Sequence, residues 1–175
     1  YLVQHTTGSG KSYSIGWLSH TLTSLYQKDG DTKRMFDSII VVTDRKVLDN
    51  QLQKTIDDLK KNKGVVYPVE KGSSDLKKFL ESGKDIIIST IQKFPQISDT
   101  ISSLGDKRFA VIIDEVHSSQ SGQLSKELKK SLTKDEDEDG FDFEDLIREE
   151  IKNRGRQKHI SFFGFTGTPK EKTLE

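Results

Sequence analysis

"HTTGSGKS", residues 5–12, decides how the rest of the chain is read. It follows the phosphate-loop pattern G-x-x-x-x-G-K-[ST], except that His5 stands where the first glycine is usual. Such a loop needs small residues, so that successive backbone N–H groups can turn inward on an anion. Gly8, Ser9 and Gly10 supply that freedom. Lys11 then reaches the β- and γ-phosphates, and Ser12 offers its hydroxyl to Mg2+. The helix that starts there aims its positive end at the phosphates. The candidate cradle is Thr7, Gly8, Ser9, Gly10, Lys11 and Ser12. None of these tasks needs His5.

Ahead of the loop, "YLVQ" (1–4) is an apolar stub that reads as the end of a strand, and as a sign that the chain is cut from something longer. Beyond it, short runs rich in β-branched residues recur: "SIIVVT" (38–43), "VVYPV" (65–69), "DIIIST" (85–90), "FAVIID" (109–114) and "ISFFGF" (160–165). They are continuous rather than alternating, as strands buried on both faces of a parallel sheet are. Helical spacing lies between them. In "RKVLDNQLQKTIDDLKK", Val47, Leu48, Gln51, Leu52, Ile56 and Leu59 set an apolar stripe with charges opposite. Strand and helix in alternation predict an α/β fold: a doubly wound, mainly parallel sheet flanked by helices, with ligands beyond the carboxyl ends of the strands.

The chain is long enough for one domain with a core, expected over 1–175. Its 31% hydrophobic residues and 13 glycines bring the apolar share to about 38%, below the usual 45–50%. A solvated insertion or a surface made for a partner accounts for such a deficit. "TKDEDEDGFDFED" (133–145) and the charged helical stretch after it, about 133–158 together, read as that insertion. Lys+Arg and Asp+Glu balance at 28 each, so a nucleic-acid site must be a local patch. The absence of Cys excludes disulfides and thiolate metal sites and fits a cytoplasmic protein. No apolar run is long enough for a bilayer, so no membrane partner is expected.

A second motif meets the first. "AVIIDEVH" (110–117) is a buried strand ending in two carboxylates. Asp114 is placed to hold Mg2+ opposite Ser12, directly or through water. Glu115 is the natural base or orienter for a water attacking the γ-phosphate. Together the two motifs predict hydrolysis of a nucleoside triphosphate. A GTPase is disfavoured, because no N-K-x-D guanine reader occurs and "NKGV" (62–65) lacks the Asp.

With "HTTGSGKS", "DEVH" and "FTGTP" in this order, the chain resembles the first RecA-like domain of superfamily 2 helicases and translocases, P-loop NTPases that use ATP and Mg2+. In that family a non-Gly first position is common, so His5 becomes expected. "VVTDRKVLDNQL" (41–52), "STIQKF" (89–94) and "GFTGTP" (164–169) look, more closely, like the motor of the restriction subunit of type I restriction-modification enzymes. The resemblance covers nearly the whole chain except the acidic insertion. Ser118 departs from it, since Arg is expected after the His of "DEVH".

The resemblance implies an ATP-driven translocase on double-stranded DNA in the cytoplasm of a bacterium or archaeon. Methyltransferase and specificity subunits would be its partners. His117 and Thr166 would couple the ATP site to the DNA site. Thr43, Arg45, Thr90 and Lys93 would contact DNA phosphates, holding every sequence equally. A nuclease domain is expected outside this stretch. "ELK" (127–129) and "EIK" (150–152) spell a nuclease motif but lack its strand context, and read as surface helix. A second RecA-like domain is expected after Glu175. It would supply arginine fingers worth roughly 10³–10⁵ in rate, so this piece alone should bind ATP better than it hydrolyses it. Two other readings stay open: a helicase on RNA or branched DNA, and an interaction module that ATP binding merely orders.

Overall fold

The computed structural model describes residues 1–6, 8–28, 32–43, 46–59, 66–69, 73–90, 93, 101, 104, 107–114 and 159–167. The acidic stretch 133–158 lies outside them, as do the "ELK" and "EIK" triplets. Among the described residues there are six strands: β1 (Leu2–Gln4), β2 (Ser38–Thr43), β3 (Val66–Pro68), β4 (Ile86–Thr90), β5 (Phe109–Asp114) and β6 (Ile160–Thr166). The helices described with them are α1 (Lys11–Thr23), α2 (Lys46–Leu59) and α3 (Ser73–Glu81). The strands form one sheet in the order β1-β6-β5-β2-β4-β3, and every pairing is parallel.

The continuous apolar runs behave as their composition requires. Every residue of β2, β4 and β5 is buried. Side chains alternate between two cores. Ile39, Val41, Ile86, Ile88, Ala110 and Ile112 face Ile15 and Leu22 of α1 and Leu52 and Ile56 of α2. Ile40, Val42, Ile87, Val111 and Ile113 face Leu76 and Leu80 of α3. The result is helix, sheet, helix in three layers, as two apolar sheet faces demand.

Helix α1 lies against α2 through Gly16, where an added Cβ would stand 2.5 Å from Leu59 Cδ1. Buried His20 Nε2 is 2.8 Å from the Ile56 carbonyl, fixing the two helices to each other. The carboxyl end of α3 is closed by Lys107, whose Nζ donates to the carbonyls of Leu80 and Glu81 at 2.8 and 2.7 Å. No helix among the described residues is long and apolar enough to cross a membrane.

Because all six strands run the same way, their carboxyl ends share one edge of the sheet. The register sets their order along it. Gln4 of β1 lies beside Thr166 of β6, Phe165 beside Asp114 of β5, Val42 of β2 beside Ile113, and Thr43 beside Thr90 of β4. At about 4.8 Å per strand, the phosphate-loop end and the Thr90 end are about 19 Å apart.

Candidate nucleotide-binding site

The loop leaves β1 at Gln4 and enters α1 at Lys11. Gly8 and Gly10 take φ of 80° and 89°, left-handed values that only glycine adopts without strain. A Cβ added at either would meet nothing within 4 Å among the described residues, which leaves the loop surface open toward them in front of both. Gly10 is the N-cap of α1 and makes no side-chain cap, and its carbonyl takes the N–H groups of both Tyr13 and Ser14. No acidic residue occupies the first turn, so nothing there neutralises the positive helix end.

Lys11 and Asp114 come together beneath the loop. Lys11 Nζ lies 3.3 Å from Asp114 Oδ1, with both side chains nearly buried. Burial pushes the Asp114 carboxyl above the usual carboxylate range, and the Lys11 ammonium works against that shift. A buried carboxylate at a strand tip, beside an ammonium and an open glycine loop, suits Mg2+ with a polyphosphate. An anion there would engage Lys11 and the loop amides, and the cation would relieve the buried negative charge. Ser12, half-buried in the first turn of α1, is the hydroxyl nearest in sequence to this pair. The residues present therefore fit Mg2+ and a nucleotide.

His5 does more than the sequence pattern asks of it. Its Nδ1 lies 2.5 Å from Ser9 Oγ and its Nε2 3.0 Å from Ser14 Oγ, so the ring spans the loop and the first turn of α1. Its backbone N–H donates to the Thr166 carbonyl at 2.7 Å. No sequence pattern signals a ring bridging positions four and nine residues on. The one available signal is the substitution itself, a bulky imidazole where glycine is usual.

The other candidate residues distribute along the same edge. Thr166 is fully buried at the tip of β6, between the phosphate-loop strand and the Asp114 strand. Thr43 and Thr90 are buried register partners at the tips of β2 and β4, and Thr43 Oγ1 has no hydrogen-bond partner among the described residues. Lys93 turns its ammonium onto the Val69 carbonyl beyond β3. Thr7, Arg45, Glu115 and His117 lie outside the described residues.

The chain that carries this phosphate loop and strand-tip aspartate matches the SWI2/SNF2 ATPase family model over residues 2–137. The chain belongs to the SWI2/SNF2 ATPase family. Among relatives of this SWI2/SNF2 domain is the type I restriction enzyme SauCOLORF180P endonuclease subunit of Staphylococcus aureus (strain COL). It is 27% identical over 172 residues, 96% of this chain and 15% of the relative. The C-terminal part of MpnIIP, a putative type I restriction enzyme endonuclease of Mycoplasma pneumoniae, is 33% identical over 135 residues. That match spans 72% of this chain and 60% of the relative. The chain thus spans about 15% of the length of the staphylococcal relatives it matches.

The solved structures agree on the fold. A nuclease-deletion mutant of the type ISP restriction-modification enzyme LlaGI, in complex with a DNA substrate mimic, superposes with a TM-score of 0.60. The identity is 14%, covering 97% of this chain and 15% of that one. Mss116p bound to ssRNA and AMP-PNP gives a TM-score of 0.51 at 15% identity, covering 99% of this chain and 32% of that one. The fold is RecA-like, as the sequence predicts, and the type I restriction relatives are those its motifs resemble.

Proposed function

We propose that this chain is the ATP-binding half of an ATP-driven double-stranded DNA translocase motor, working within a type I restriction endonuclease. One observation carries the reading: Lys11 Nζ and Asp114 Oδ1 stand 3.3 Å apart beneath an open glycine loop. In this reading the amides of Thr7 to Ser12 and the Lys11 ammonium hold the triphosphate. Ser12 and Asp114 hold Mg2+, which when bound neutralises charge on the β- and γ-phosphate oxygens. Glu115 orients the attacking water and accepts its proton.

Hydrolysis must also move DNA. Thr166 sits one strand from the loop and one strand from Asp114, so a change at either is felt at its peptide. In this proposal Thr166 and His117 pass that change along the edge to Thr43, Arg45, Thr90 and Lys93, which hold the DNA backbone. Lys93 serves there once its ammonium leaves the Val69 carbonyl. The type I restriction relatives, and the LlaGI neighbour in complex with a DNA substrate mimic, support DNA as the track. In this proposal that track is duplex DNA, and methyltransferase and specificity subunits are the partners.

The test is steady-state ATPase of the full-length protein with and without duplex DNA. Stimulation by DNA that disappears in Lys11→Ala and Glu115→Gln is the expected result. An ATPase that Lys11→Ala leaves unchanged rules the assignment out.

A further inference from the structure

We propose that His5 is a positioning residue of the phosphate loop: its imidazole locks the loop to α1 in the shape that receives a triphosphate. The inference rests on the reading of this loop as the ATP site and adds a residue to it.

The proton count of the network supports it. Ser9 Oγ donates its one proton to the Thr6 carbonyl. Its contact with His5 Nδ1 at 2.5 Å must then be one it accepts, so the ring carries a proton on Nδ1. A neutral imidazole protonated there presents a lone pair at Nε2. Ser14 Oγ, 3.0 Å away, donates to it. One neutral tautomer satisfies all three groups.

Location gives the network its consequence. Ser9 lies between Gly8 and Gly10, the two residues with left-handed φ, and Ser14 is in the first turn of α1. Gly10 supplies no side-chain cap, and the His5 ring is a side-chain tether from outside the helix that joins loop to helix across Lys11. The His5 backbone N–H also holds the Thr166 carbonyl at 2.7 Å, so the ring is anchored on the sheet. A glycine at position 5 would keep that backbone bond and lose the tether. Without it, nucleotide binding must itself order the Gly8–Gly10 segment, which weakens binding more than it slows chemistry.

The experiment is ATPase kinetics of the full-length protein with saturating duplex DNA, with His5→Ala, His5→Asn, Ser14→Ala and Lys11→Ala compared. His5→Ala should raise KM for ATP about tenfold and leave kcat within about twofold. His5→Asn, whose amide nitrogen takes the place of Nδ1, should recover a large part of the loss. Ser14→Ala should raise KM less, and adding it to His5→Ala should change nothing further. An unchanged KM in His5→Ala, or the same loss in His5→Asn, overturns the proposal. If His5→Ala fails to fold, an unchanged KM in Ser14→Ala overturns the Nε2 arm. The two readings fail separately. Activity surviving in Lys11→Ala defeats the ATP-site assignment, whereas loss in Lys11→Ala with a normal KM in His5→Ala defeats only the tether.

Discussion

Lys11 and Asp114, 103 positions apart in sequence, form a nearly buried ion pair with Nζ 3.3 Å from Oδ1. The pair exists because β6 separates β1 from β5 by a single strand, so the phosphate loop overhangs the tip of the aspartate strand. A charge pair with about a tenth of each side chain exposed adds little net stability, but breaking it is costly. Lys11→Met should lower stability by about 1–3 kcal/mol, less than a fully buried pair loses, because it leaves the Asp114 carboxylate buried without its ammonium. Asp114→Asn removes a charge that burial disfavours and should cost less. The double variant should cost clearly less than the sum. Denaturant unfolding of the four proteins checks this, and simple additivity would contradict a coupled pair.

Protonation of Asp114 should act oppositely on folding and on function. Burial raises its pKa in the folded chain, with Lys11 opposing. The folded state therefore holds that proton more tightly than the unfolded state. This group's share of stability grows as pH falls through the raised value and is complete below the ordinary value near ~3.9. Mg2+ needs the ionised form, so Mg2+-dependent ATP binding should weaken at a higher pH than an ordinary aspartate would give. A titration from about pH 7.5 to about pH 3 reads it, and a midpoint at the ordinary aspartate value would count against it.

The left-handed glycines separate fold from function. Gly10 (φ 89°) lies in the loop, whereas Gly83 (φ 64°) follows the end of α3. At both, an added Cβ meets nothing within 4 Å among the described residues, so alanine should cost backbone strain, about 1–2 kcal/mol. Gly10→Ala and Gly83→Ala should lower the melting temperature alike. ATP affinity should fall only in Gly10→Ala, as isothermal titration would show.

Gly16 tests how tightly the loop helix sits on α2. Alanine there would press on Leu59 Cδ1, the free end of a half-buried side chain, while Ile56 Cγ1 stays at an ordinary 3.5 Å. Leu59 can swing away, and alanine gains about 1 kcal/mol of helix propensity, so Gly16→Ala should be nearly neutral. Gly16→Leu cannot be absorbed that way and should cost about 1–3 kcal/mol. Equal melting temperatures for the two variants would mean that the helices are not closely packed.

The strands are legible in the sequence because each is a continuous apolar run, and burial on both faces leaves no other use for "SIIVVT" or "FAVIID". Both of those match β2 and β5 residue for residue, and β6 runs one residue further, to Thr166. Strand order is not legible. Nothing in the periodicity of "ISFFGF" says that it slots between β1 and β5, and that insertion brings Thr166 beside the loop. At the site, glycine, lysine and aspartate can be read because phosphate and Mg2+ chemistry fixes their types. The role of His5 is hidden because its partners, Ser9 and Ser14, are ordinary hydroxyls until the loop folds back. The turn of Lys93 onto the Val69 carbonyl is equally hidden, since a flexible four-carbon stem carries no direction in sequence.

The most direct test of the motor reading is ATP-dependent displacement of a third strand from duplex DNA by the full-length protein. The account predicts displacement by wild type without separation of the two duplex strands, and none by Lys11→Ala. Displacement that persists in Lys11→Ala, or unwinding of the duplex itself, would contradict it.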